Sequence, residues 1–506
     1  MKFLGYYVTF YSILLLLFTK GFSKITLLKN KELEFFTCNK KSFFIVALAI
    51  FMLYIPYLLS QYPGIISTDS LSEISTALFS MGNMVNHHPV FHIAIISIFM
   101  NIGKLLNNYT LGIGLYSIFQ MIFTACVFSF MIYYMAKRNV NFYIRFICFL
   151  VVALYPPFAC FSITMWKDVP FGLSMVLYTI CMIEMAINKE FLKKWKNRMF
   201  LAISMILVIL CRNNGIYVII LSIPFMIFFT KGSRKTTTAI SVIIIAFYII
   251  YKGPVFSLLN IADGPIREAL SVPLQQIART VKYRESDLTE EEKVEINKYM
   301  PVEEIGELYY PLISDNVKDT LNNEAVQENK VNFITLWLKL FVKYPREYVE
   351  SFLAGSFGYW YPETKNWVIW GFDQETFELA ENLEIDIEKK PIINVGIIDK
   401  MIYGINYISI PIISGIFSIG LTFWATVTVL MYVIYNKKYK LILAYVPVIF
   451  LWCTTIASPV WCEYRYIYSI FTCAPLLLIS MTNFINIDKY EKKEEKKEEK
   501  KEYEKN

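Results

Sequence analysis

A chain of 506 residues that is 56% hydrophobic, with a mean hydropathy of +0.44, is too apolar for a soluble protein of its size, and its apolar runs repeatedly reach bilayer-spanning length. The net charge of +7 comes mainly from basic clusters beside those runs, a pattern that orients membrane helices and gives no case for nucleic-acid binding. The nine cysteines are scattered without a CxxC pair, which leaves no metal-ligand spacing. Only Cys160 and Cys462 are placed where a disulfide could form outside the cytoplasm.

The first apolar run, 4–19, has the length of a signal peptide but no convincing small-residue cleavage site, and Lys20 and Lys24 follow it. It therefore reads as an uncleaved anchor. Lys and Arg then cluster at 20–41, 137–145, 189–198, 231–235, 436–440 and after Lys489, at alternate ends of the long apolar runs. The positive-inside rule makes these clusters cytoplasmic, and puts 61–90, 156–168, 253–400 and the stretch around Trp461 to Tyr468 outside. Spanning helices are predicted near 4–19, 43–60, 110–136, 141–157, 169–187, 198–212, 215–230, 237–252, 402–434, 440–457 and 464–485. The result is an all-α polytopic protein of the cell membrane with about 11 transmembrane helices, its N-terminus outside and its C-terminus cytoplasmic.

One apolar segment, 88–106, would reverse every later assignment if it crossed. Residues 68–82 and 88–106 are therefore predicted as two helices on the outer face of the membrane, joined by a turn around Gly82 and Asn83. The chain divides into an anchor and basic linker (1–42), a transmembrane core (43–252) with a structured first outer loop (61–108), an extracytoplasmic region (253–400), C-terminal spans (401–485) and a charged tail (486–506). The 253–400 region is long enough for a small, mostly helical domain, and its aromatic, amphipathic later half suits a surface resting on the bilayer. The Lys/Glu-rich tail is low-complexity and carries no catalytic residue.

The unusual polar residues fall in the outer segments. Asp69 follows a membrane exit in YPGIISTDS, and Glu73 shares its face if the segment is helical. The pair suits a general base with a partner or metal ligand, and equally a helix start in which Asp69 caps and Ser70 with Glu73 forms a capping box. All three histidines of the chain, His87, His88 and His92, follow directly, suited to a phosphate, a metal or a structural role. In MWKDVPF, Trp166, Lys167 and Asp168 sit at a helix mouth, where Lys167 runs against the charge bias and suggests an anionic ligand; interfacial anchoring and capping by Asp168 is the alternative. Arg212 in CRNNG and Arg465, between Tyr464 and Tyr466, are cations where cations are costly, and arginine is the residue shaped for bidentate phosphate binding.

The segments YPGIISTDS, NHHP, MWKDVPF and SVPLQQIAR resemble an uncharacterised bacterial family of multi-pass proteins related to the GT-C superfamily of membrane glycosyltransferases. The resemblance covers most of residues 43–485, although the first loop has no Asp-x-Asp. It implies a GT-C-like bundle and inverting transfer of a sugar from a polyprenyl-phosphate donor to a cell-envelope glycan or lipid-linked acceptor at the outer face. It also implies roles by position. Asp69 would be the general base, Asp168 would orient the acceptor or hold a divalent cation, and Lys167, Arg465 and His88 would neutralise the carrier phosphate. Glu73, His87, Arg212 and Tyr466 complete the expected substrate contacts, while Trp360, Tyr361 and Trp367 would stack on sugar rings or form an interfacial belt. A lipid-linked oligosaccharide flippase or polysaccharide exporter would need ionisable residues along its helices, which this sequence largely lacks; a repeat-unit polymerase would use similar substrates.

Overall fold

The computed structural model describes residues 11–21, 36–364, 368–369, 374–410, 414–457, 459 and 462–481. Helix α1 (Lys40–Ser60) starts at Asn39, whose side chain accepts a hydrogen bond from the Ser42 amide at 2.6 Å. Helices α2 (Thr68–Phe79) and α3 (Val90–Leu105) follow, then the long α4 (Tyr109–Lys137), against which both α1 and α3 pack. Helices α5 (Phe142–Leu154) and α6 (Pro156–Ser162) meet at a 54° bend, where consecutive prolines cannot continue the hydrogen-bond ladder. Helix α7 (Asp168–Ile187) is the axis of the bundle: 94% of its apolar window is buried, and it packs on α4, on α8 (Trp195–Cys211), and on the last two helices of the chain. Helices α9 (Gly215–Phe229) and α10 (Arg234–Ile250) precede the long polar region.

Five helices are long and apolar enough to cross a membrane, or six if the bent α5–α6 pair is one span, so the chain is an all-α membrane protein. The expected spans at 198–212, 215–230 and 464–485 fall on helices of 17, 15 and 14 described residues. Of the run at 4–19, residues 4–10 lie outside the described residues, as does the charged tail. The predicted single helix over 402–434 is corrected: short helical pieces precede α14 (Ile419–Tyr435), because Gly404 and Asn406 interrupt the apolar run with poor helix formers. Helices α15 (Ile442–Ala457) and α16 (Tyr468–Met481) complete the described bundle.

The polar region builds a helical unit with its own apolar core. Helices α11 (Ser271–Arg284), α12 (Lys330–Lys343) and α13 (Pro345–Ser356) bury Leu274, Ile277, Leu336, Leu340 and Tyr348 together. The first loop has a further core, formed by Leu71, Ile74, Ile93 and Ile96 with Phe256, Ile261 and Ile385. Strands β1 (Val85–Asn86) and β2 (Ala262–Asp263) pair in parallel between the two, the one two-stranded sheet among the described residues.

The loop's position is set at Gly64. Its φ is +136°, and a Cβ there would stand 2.8 Å from the Ile163 carbonyl and 2.1 Å from Ser117 Oγ. That closeness lets Ile65 donate to the Ile163 carbonyl and accept from the Met165 amide, both at 2.9 Å, which locks the start of α2 to the segment before α7. Gly64→Ala should therefore cost about 1–3 kcal/mol of stability and lower the melting temperature of the purified protein, whereas Gly82→Ala, with nothing within 4 Å, should leave it unchanged. Equal melting of the two variants would exclude the constraint.

Candidate functional site

At the end of the bundle where α7 and α16 begin and α8 and α15 finish, charged side chains from four distant segments converge. Ser67 is the N-cap of α2, and its amide donates to Ser70 Oγ at 3.0 Å. Ser70 in turn donates to the Met165 carbonyl, and the Trp166 indole donates to Ser67 Oγ at 2.7 Å. The helix start is thus satisfied by serines, and the expected capping by Asp69 and the Ser70–Glu73 box are not what forms.

Asp69 is left to face cations. Its Oδ2 accepts from Arg465 Nη1 at 2.8 Å and lies 3.6 Å from Lys167 Nζ. Burial works to raise its pKa, but Lys167 and Arg465 outweigh that and hold the carboxyl well below the usual carboxylate range. Arg465 also pairs through Nε with Glu463 Oε2 at 2.5 Å, donates to the Tyr466 hydroxyl at 3.0 Å, and lies over the rings of Trp166 and Tyr466 at 5.2 and 4.8 Å. Burial pushes the Glu463 carboxyl up despite that guanidinium. Asp168, buried at the first position of α7, holds Arg212 Nη1 at 2.7 Å, and Arg212 lies over the Tyr466 ring at 5.3 Å.

A cavity of about 1090 Å³ opens beside this cluster. Asp69, Lys167, Asp168, Arg212, Arg465 and Tyr466 line one side, and His87 joins them. Arg267 and Glu268, just ahead of the helical unit, and Lys318 within it also line the cavity, while Tyr217 and Leu221 of α9 carry it to the flank of the bundle, where both side chains are exposed.

Several expected contacts lie elsewhere. Glu73 and His88, 1% and 4% exposed, do not line the cavity; they stand behind Lys167. His88 Nδ1 accepts from Lys167 Nζ at 2.8 Å, and burial followed by the Lys167 charge brings its pKa down to about 4. His88 is therefore neutral, and it holds a lysine where a phosphate contact was expected. Burial and then Lys167 also lower His87. Glu73 Oε2 takes His92 Nδ1 at 2.6 Å, and although burial pushes its carboxyl up, the charges and hydrogen bond around it, His92 foremost, together bring it below the ordinary value. Trp360 packs on Phe357 and accepts the Trp424 indole on its carbonyl at 2.8 Å, away from the cavity, which Tyr359 lines instead. Tyr361 stacks on Phe357 at 4.4 Å, and Trp367 lies outside the described residues. Cys160 and Cys462 are both free thiols.

The donor set does not suit a divalent cation. Asp69 and Asp168 are each committed to cations, and among the described residues no three His, Cys, Asp or Glu side chains are arranged to hold a metal ion. Glu463, Asn213 and the cavity residues at 267–318 were missed by sequence reasoning. An acid two residues before Arg465 was the one available signal, while Asn213, which donates to the Asn86 carbonyl at 3.1 Å, had none.

The chain belongs to the family of unknown function DUF6020, whose profile matches residues 79–504. No curated protein and no solved structure matches it.

A group whose folded pKa is depressed contributes stability above its unfolded pKa and loses it as pH falls through the folded value. Glu73 is such a group. The melting-temperature gap between wild type and Glu73→Gln should be largest near neutrality and shrink as pH drops below about 4. A gap that ignores pH would mean that Glu73 is not ionised in the fold.

Proposed function

We propose that this chain is a membrane glycosyltransferase of the GT-C type that moves a sugar from a polyprenyl-phosphate donor to an envelope acceptor at the outer face of the membrane. The observation that carries the reading is the meeting of Asp69 with Lys167 and Arg465 on the wall of a cavity that runs to exposed apolar residues of α9. Such a site suits a substrate with a charged head and a hydrocarbon tail: the phosphate would lie among Lys167, Arg465 and Arg212, and the tail would leave past Tyr217 and Leu221.

The depressed pKa of Asp69 bears on the chemistry. A carboxylate held by two cations is a weak base, but a donor phosphate takes those cations as its own partners. Asp69 is then freed, still ionised, to accept the proton of the acceptor hydroxyl, while Lys167 and Arg465 stabilise charge growing on the leaving phosphate. Asp168, tied to Arg212, holds that guanidinium at the wall. The helical unit at 271–356 contributes to the cavity lining. Its helix α12 exposes Val331, Ile334, Leu338, Phe341 and Val342 on the face opposite its buried one, which suits rest on a bilayer.

In this reading the first loop and the 253–400 region both lie outside, so cysteines placed at Asn83 and Asn316 should be labelled from outside intact cells. Labelling of position 83 only after permeabilisation would defeat the orientation. Asp69→Asn keeps the hydrogen-bonding shape without the basicity, and should lower transfer from a polyprenyl-phosphate sugar by about 10²-fold or more with normal expression. Arg465→Lys should impair donor use, and Arg465→Ala impair it further, because the planar fork is lost before the charge is. Undiminished transfer in Asp69→Asn would remove the catalytic assignment.

A further inference from the structure

His88 Nδ1 stands 2.8 Å from Lys167 Nζ and 3.3 Å from Glu73 Oε1. One ring nitrogen cannot serve both. An ammonium only donates, so toward Lys167 the nitrogen must present its lone pair; a carboxylate only accepts, so toward Glu73 it must present an N–H. With Lys167 in place the ring is neutral, and Glu73 Oε1 is buried with no hydrogen donor on it among the described residues.

The other side of Glu73 is already settled by a chain of fixed donors. Gln120 Nε2 donates to the carbonyls of Phe161, Ser162 and Thr164, which turns Gln120 Oε1 toward Tyr116. The Tyr116 hydroxyl must then donate to Gln120 at 2.8 Å, and its oxygen accepts from His92 Nε2 at 2.7 Å. One further proton lies between His92 Nδ1 and Glu73 Oε2. Glu73 Oε1 is left as an open acceptor facing His88.

We infer that His88 and Glu73 are positioning residues that exchange a proton for Lys167: an anion that draws the Lys167 ammonium into the cavity frees His88 Nδ1, which takes up a proton from the buffered solution and, as an imidazolium, donates that N–H in a hydrogen bond to Glu73 Oε1. The inference rests on the reading that an anionic group occupies the cavity, whatever that group carries. The charged and titratable groups around His88 are Glu73 and Asp69 from α2, Lys167 ahead of α7, its neighbour His87, and His92 of α3 behind Glu73. Burial and Lys167 hold the His88 pKa down, while Glu73 and Asp69 raise it, so departure of the ammonium moves it up. The anion-bound protein thus holds more protons than the free protein. Affinity strengthens as pH falls and weakens as pH rises through the bound-state value.

The test is calorimetric titration of the full chain in nanodiscs with dihexyl phosphate, whose single charge does not titrate over the neutral range. Running it in buffers of different ionisation enthalpy counts the protons taken up. Wild type should take up close to one proton per anion at mildly acidic pH, with affinity changing by up to about tenfold per pH unit there. His88→Asn keeps an oxygen that accepts from Lys167 but cannot titrate, so it should bind without proton uptake. Binding by wild type with no uptake, or undiminished uptake in His88→Asn, overturns the inference while leaving the anion site standing. Absence of any binding by wild type overturns the anion-site reading and this inference with it.

Discussion

The carboxylate of Asp69 meets Arg465 across 396 residues of chain, and the arrangement of this end of the bundle follows from keeping both charges paired. A partly buried charge without a partner is costly, whereas one that is hydrogen-bonded and opposed by a countercharge is tolerated. Lys167 and Arg465 serve Asp69, Glu463 serves Arg465, and Asp168 serves Arg212. Apart from Glu463 with Arg465, each pair joins segments distant in sequence, so α2, the start of α7, the end of α8 and the segment before α16 are tied to one another. The pairs that make the site polar also hold its walls together.

Behind these charges lies a second, rigid layer. Gln120 sits inside the long helix α4 and spends its amide on three carbonyls at the end of α6 and in the turn after it, the turn that leads directly to Lys167 and Asp168. The bridge from Ile65 to Thr164 ties the same turn to the start of α2. The backbone ahead of the two acidic residues, Asp69 and Asp168, is therefore fixed from both sides by groups with no other partner to choose. Side chains that would exchange partners in the proposed reaction are best mounted on such a frame, because rotation of the side chain is then the movement that costs least.

Much of the architecture was legible in the sequence because apolar runs and basic clusters are local signals. The core helices, the paired helices of the first loop and the polar helical unit all stand near their predicted places. The convergence of Asp69, Lys167, Asp168, Arg212 and Arg465 was legible only as a list of charges in unlikely positions; which carboxylate takes which cation depends on long-range packing. Glu73 and His88 were misread because i,i+4 spacing and a short outer loop suggest a shared exposed face, and nothing local reveals that His92, Tyr116 and Gln120 draw that face inward. The 402–434 run was read as one helix because hydropathy outvoted the poor helix formers Gly404 and Asn406. Trp360 was assigned to the site by residue type, while the chain path gives that place to Tyr359, one residue earlier.

The charge balance of the cluster sets the terms on which any ligand enters. Lys167, Arg212 and Arg465 face Asp69, Asp168 and Glu463, three cations against three carboxylates, so the resting cluster needs no anion to be neutral. A phosphate that binds among the cations leaves carboxylates uncompensated in a confined space, a cost that grows with burial. The protein can offset it by bringing in a proton, and the raised pKa of Glu463 and the divided allegiance of His88 Nδ1 are the two places where one can be accommodated. Glu463 lies against Arg465, which the phosphate itself would engage, whereas His88 lies behind Lys167, out of the cavity and against an acceptor already lacking a donor. In the proposed transfer, a proton held there would compensate charge without standing between the donor and Asp69, and would leave that face of the cavity to donor and acceptor.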